Sequence, residues 1–237
     1  MYWQPVHAAL EGDFTVIVGN ASHMRNVPGR KTDVKDAEWS ADLVRHGLVR
    51  ASFVPPQAIR VLRELVRHRK ALVGTLAAEW NRTLKLLESA GSKLAGVMSS
   101  VFGVSGMLVL RALAEGSTAP AAMADLAKRR LRSKIDRLAL ALDGSLAEHQ
   151  RPLLRMHIRR LEEIGRDLAE VEAAIGAAMR PLAAQQALLV TIPGVDALTA
   201  AAIVAEIGVD MDVFGTAQRL AAWAELAKVL AAKPVEC

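Results

Sequence analysis

The sequence predicts a mainly α-helical chain with a small α/β part near its start, and three observations carry that reading. Aromatic residues make up only 4% of the 237 residues, while 52% are hydrophobic and 23% charged. Alanine and leucine dominate, a mixture that favours long helices over sheets. Two stretches, 57–90 and the run from Pro152 to Leu182, hold apolar residues near heptad spacing. Strand signals are few: Phe14–Val18 reads as a buried strand and Ala51–Val54 as a short second one.

A chain of this length and apolar content buries one or two real cores. The net charge of +5 and the isoelectric point near 9.7 point to an anionic partner. Eleven Lys/Arg between Arg25 and Lys70 make that footprint local. The single cysteine, Cys237, leaves no disulfide framework and no zinc site, so a reducing cytoplasm is the expected compartment. No basic-then-apolar leader opens the chain, and no apolar run approaches the ~20 residues of a membrane span. A soluble chain with no membrane partner is expected.

In order, Tyr2–Val6 fits a short helix, and Glu11-Gly12-Asp13 a turn. A loop over 20–30 leads to a helix over 33–46, with an apolar stripe at Val34, Ala37, Ala41, Val44 and Leu48 and Gly47 as its stop. Pro55-Pro56 closes the strand at 51–54. The helix from Gln57 carries a seam of Ile59, Leu62, Val66, Val73, Leu76, Trp80 and Leu87, broken by Arg69. The segment 91–144 is rich in Gly, Ser and Ala; it reads as shorter helices, with a turn at Gly103–Gly106 and an amphipathic helix with a basic tail over Ala119–Arg132. The second long helix, opening near Pro152, repeats Leu154, Leu161, Ile164, Leu168, Val171, Ile175, Ala178 and Leu182, a coiled-coil seam whose one polar break is His157. The simplest arrangement pairs the two long helices antiparallel, with 91–144 capping the far end.

The stretch Val27–Trp39 concentrates the chemistry. A Pro-Gly turn and a basic triplet lead to Asp33 and Asp36, one helical turn apart on one face. Two carboxylates so placed can share a hard divalent cation, with Arg30, Lys31 and Lys35 drawing in a phosphate backbone. They can equally be an N-cap and an N3 acid that favour the positive end of the helix dipole. Both readings stand on spacing alone. Arg60, Arg63, Arg67, Arg69 and Lys70 likewise form either a solvated basic face or a backbone contact, and the run of Lys128, Arg129, Arg130, Arg132 and Lys134 has the same two readings. Leu188–Gly208 resembles a helix-hairpin-helix, with Pro193-Gly194 at its turn. Such a turn can aim N–H groups at a phosphate. Asp196, where the usual pattern wants glycine, opposes this, and helix packing by Ala200, Ala201, Ile203, Val204 and Ile207 is the other role.

The run NVPGRKTDVKDAEWSADLVRHGLVRASFVPP resembles the DEDD transposases of the IS one-ten (Piv/MooV-type) insertion-sequence family, as do Tyr2–Val6 and the run FGTAQRLAAWA at 214–224. The resemblance covers nearly all of residues 2–224. It implies a partial RuvC-like (RNase H-like) domain over 1–56, a helical coiled-coil region over 57–186 and the start of a C-terminal transposase domain over 187–237. Asp33 and Asp36 match the last two acids of the family's Mg²⁺-binding tetrad. The first aspartate, the glutamate and the strand-cleaving serine region have no counterpart, so a chain truncated at both ends is expected. DNA at element ends and target, a structured guide RNA and a second copy paired through the coiled coil are the implied partners. The implied function is DNA cleavage and joining in transposition, this chain being an inactive fragment; the alternative is a non-catalytic nucleic-acid-binding coiled-coil protein that associates with full-length transposase.

Overall fold

A computed structural model describes residues 3–19, 33–49, 51–116, 119–143 and 146–232, with the side chains at 33–36, 129–130 and 225–232 outside the description. The chain forms two compact units, residues 1–57 and 58–237. Helices dominate, in keeping with the Ala- and Leu-rich composition, and among the described residues none is long and apolar enough to cross a membrane.

In the first unit, α1 (Trp3–Leu10) and α2 (Asp33–Arg45) are the regular elements. Gly47, at φ +67°, closes α2, and the amide of Leu48 bonds the Leu43 carbonyl. The strands expected at Phe14–Val18 and Ala51–Val54 do not form. Among the described residues they meet only in an isolated bridge between Gly19 and Ala51, with the Ser52 amide on the Val18 carbonyl. A strand pair without further partners or helix cover leaves its faces wet, and Phe14 is 65% exposed. The stripe expected on α2 is also displaced: Leu43 is the buried residue, flanked by half-buried Trp39 and Ser40, while Val44 and Leu48 face solvent.

The second unit is built on α3 (Gln57–Ser89) and α8 (Gln150–Met179). Between them run α4 (Leu94–Val97), α5 (Val104–Glu115), α6 (Pro120–Ala124), a 3-10 turn (Arg129–Lys134) and α7 (Ile135–Ala141). After α8 come a 3-10 turn (Arg180–Leu182), α9 (Ala183–Val190), α10 (Ala197–Ile207) and α11 (Ala217–Ala232).

The two long helices run antiparallel. Ile59 and Leu62 share a core with Ile175 and Met179, Arg69 binds Glu172 at 2.7 Å, and Glu79 meets His157 at 2.6 Å. The apolar repeat of α8 is its inward face, with Leu154, Leu161 and Ile175 buried. On α3 the inward face differs from the expected one. Val73 (41%) and Trp80 (38%) are exposed, and the face passes through the expected Leu76 together with Arg69, Leu72, Glu79 and Thr83. Trp80 turns out of the seam and stacks on Phe102, with centroids 5.5 Å apart.

The segment between the long helices packs onto their far end. Leu110, Leu113, Leu138 and Leu142 bury against Leu87, Leu154 and Ile158. The turn expected at Gly103–Gly106 lies earlier, over 101–103, because Val104–Gly106 already form the first turn of α5. Gly106 permits this fold-back, since a methyl there would overlap the Val101 carbonyl. The single helix expected over Ala119–Arg132 is broken: Lys128 is extended and its amide bonds the Ser105 hydroxyl at 3.0 Å, outside any helical ladder.

At the other end, α10 rests on α3 and α8 through Ala201, Val204 and Ala205. Arg63 fastens it, donating from Nε to the Ala205 carbonyl at 2.8 Å and from Nη2 to the Glu206 carbonyl at 3.1 Å. Arg67 binds the Glu206 carboxylate with both Nε and Nη2. Arg63→Met, which keeps the aliphatic stem, is expected to cost about 1.5–3 kcal/mol in denaturant unfolding. Arg67→Met, which breaks a largely exposed pair, should cost under about 1 kcal/mol. Equal losses would contradict the latch.

Candidate functional site

Asp33 opens α2 and Asp36 lies three residues on, so the backbone sets them one turn apart. Their side chains, that of Lys35, and Arg30 and Lys31 entirely, lie outside the described residues. Among the described residues no three His, Cys, Asp or Glu side chains gather as a metal-holding group.

The other residues expected to touch nucleic acid belong to the second unit, on the first three turns of α3. Arg60 is half-buried. Arg63 and Arg67 both meet Glu206, as described, and Arg69 binds Glu172. These guanidinium groups therefore serve internal contacts that hold α8 and α10 against α3.

Pro193 and Gly194 do sit in the turn between α9 and α10, with Gly194 at φ +87°. Asp196 then caps α10, its carboxylate accepting from the Thr199 amide at 2.7 Å. That bond, with the Thr199 side chain and the charge of Arg69, holds the Asp196 carboxyl below its usual range. A carboxylate thus occupies the place that an incoming phosphate would take. Ala200, Ala201 and Val204 are buried, so this segment packs as the second of its two readings had it.

Sequence reasoning missed Glu79. It is 1% exposed inside the α3–α8 seam. Oε1 lies 2.6 Å from Nδ1 of His157, and Oε2 accepts from Arg82 at 2.9 Å. Thr83, also buried, returns its hydroxyl to the Glu79 carbonyl at 2.8 Å. Burial alone would push the Glu79 carboxyl up. The hydrogen bonds from His157 and Arg82, with the charges of His157 and Arg160, outweigh it and hold the carboxyl below the usual glutamate range. The polar break at His157 was the visible half of this pair; the antiparallel register supplies the other half.

Comparison with known proteins gives two family matches. Residues 1–91 match a model of the DEDD transposases of the IS110 type, described as Transposase. Residues 186–231 match the Transposase IS116/IS110/IS902 family. The first match takes in α2 with Asp33 and Asp36 and all of α3; the second takes in most of α9, all of α10 and most of α11. No curated protein and no solved structure matches the chain.

Glu79 gives the seam a pH dependence of defined sign. Its folded pKa is depressed, so its stabilisation is present above the unfolded glutamate value of about 4.3 and is lost as pH falls through the lower folded value. Glu79→Gln should flatten the acid limb of the stability curve below about pH 4.3. It should cost about 1.5–3 kcal/mol at neutral pH. An acid limb identical to that of the unaltered chain would refute the assignment.

Proposed function

The chain belongs to the IS110 family of insertion-sequence transposases, and on that premise we propose that it engages DNA at element ends and target during strand cleavage and joining. The observation that carries the reading is the match over residues 1–91, which includes the pair of acids at the opening of α2. Their carboxylate oxygens suit Mg²⁺, a hard cation, in kind. Asp33 and Asp36 are the residues that would hold it, as one edge of a larger cage. Bound there, the ion would neutralise and orient phosphoryl oxygens. Two carboxylates one helix turn apart hold such an ion weakly by themselves, because Mg²⁺ keeps octahedral geometry and parts with water reluctantly. A structured RNA offers the same phosphate chemistry as DNA and is the second nucleic-acid partner in this reading.

The alternative, a non-catalytic binding protein that associates with full-length transposase or with a second copy, is favoured by the middle of the helix pair. There Ile164, Leu168 and Val171 stay only half-buried and Val73 is exposed. Apolar seam residues left partly wet are where another helix gains burial energy.

A binding and nicking assay on element-end DNA separates the outcomes. The polypeptide of residues 1–237 is expected to bind at low salt and to leave DNA uncut in Mg²⁺, because losing part of a phosphoryl-transfer site costs orders of magnitude in rate. Cleavage that Asp33→Ala and Asp36→Ala both abolish would show that the chain holds a complete site. Failure to bind DNA at any salt would overturn the proposed function.

A further inference from the structure

We infer that the cap of short helices over residues 91–144 carries a nucleic-acid contact of its own, in which Lys128, Arg132 and Arg137 hold the phosphate backbone of a duplex beside a serine-lined cleft. This rests on the nucleic-acid reading above and places a contact outside the family-matched segments.

The first observation is the difference between the basic run at 128–137 and the arginines that serve internal contacts. Arg63, Arg67, Arg69 and Arg111 each face a carboxylate, on Glu206, Glu172 or Glu162. Residues 119–137 hold six Lys/Arg against Asp125 and Asp136. Lys128, Arg132 and Arg137 are exposed, and among the described residues they enter no ion pair. Lys134 alone of the described ones turns inward, its Nζ on the Val97 carbonyl at 3.2 Å. Like charges in excess over their counter-ions raise the local potential that a polyanion relieves.

The second observation is the cleft that Lys128 borders. It measures about 800 Å³ and is lined by Ser99, Ser100, Ser105, Lys128 and Leu131 among others. Serine hydroxyls and lysine ammonium groups are the usual donors to phosphate oxygens. Among the described residues no aromatic side chain lines it, so they offer no platform on which bases of a single strand could stack. A duplex, which presents phosphates and keeps its bases inside, fits that lining better.

The third is rigidity. The segment is anchored on both sides of the basic run, by buried Ala124 and Ala127 before it and Leu138 after it, and by the Lys128 amide on Ser105. The charges are therefore presented on a preset backbone and lose less freedom on binding.

The test measures binding of the full chain to a DNA duplex and to an RNA hairpin across a salt series. The triple variant Lys128→Gln, Arg132→Gln, Arg137→Gln is set against Arg159→Gln, Arg166→Gln, Arg180→Gln, three exposed arginines of the long helix and the turn after it. Circular dichroism checks that both variants fold. On DNA, the cap variant should lower the slope of log K against log salt by about 0.9 for each phosphate it no longer holds, and should bind at least tenfold more weakly in 0.1 M salt. Arg132→Lys with Arg137→Lys, which keeps the charge, should restore most of the slope. Weakened binding to both nucleic acids, or to either alone, supports the cap contact and tells which duplex it takes. Equal effects in cap and control variants, or an unchanged slope in the cap variant, would overturn it while leaving the proposed function standing. No binding by the unaltered chain would overturn both.

Discussion

The second unit depends on one constraint, the register of α3 against α8. Apolar residues at the two ends of the pair supply burial, with Ile59, Leu62, Ile175 and Met179 at one end and Leu87, Leu154 and Ile158 at the other. Apolar contacts alone tolerate sliding by a turn. The polar contacts between them do not, because a shifted register would leave Glu79 buried without His157 and Arg69 without Glu172. Desolvation offsets much of what such pairs contribute to stability, whereas a broken buried pair is costly. We therefore assign them to register more than to strength. With the register set, the cap sits over one end and α10 is held at the other.

That arrangement redistributes the basic residues between two tasks. The cluster on the first turns of α3 looks in sequence like the natural backbone contact, since it follows the acid-bearing segment. In the folded chain Arg63 closes the end of α10, and Arg67 and Arg69 complete ion pairs. An arginine so engaged would have to break a protein contact to reach a phosphate. The cap carries another case: Lys128, Arg132 and Arg137 are exposed and enter no ion pair among the described residues, and Lys128 borders a cleft lined by serines and apolar side chains. In the proposed function this chain works on nucleic acid. Which cations are left for it is a property of packing.

Much of this was legible from residue order. Both long helices, the stop at Gly47 and the burial of Leu154, Leu161 and Ile175 follow from heptad spacing and turn chemistry. The inward face of α3 was not, because an apolar count assigns Val73 and Trp80 to the seam and leaves out Arg69, Glu79 and Thr83. Polar residues enter a seam when partners satisfy them, and the partners of Glu79 and Arg69 lie about 80 to 100 residues away in sequence. The strand at Phe14–Val18 failed for a related reason: β-branched composition marks what fits a sheet, and only neighbouring strands make one. Asp33 and Asp36 were found through a family resemblance, since two acids three residues apart also describe an ordinary helix start. The break at Lys128 was hidden because it depends on a hydroxyl 23 residues earlier.

The most direct test of the account is a pair of distance measurements between spin labels on exposed positions of the two long helices. His68 and Glu170 lie at nearly the same level when Arg69 meets Glu172, whereas His68 and Arg155 are separated by a further fifteen residues of α8, about 22 Å along its axis. The account predicts a short, narrow distribution for 68–170 and a much longer one for 68–155. Comparable distances for both pairs, or a broad distribution for 68–170, would contradict the antiparallel register on which the cap, the latch and the assignment of the basic residues all rest.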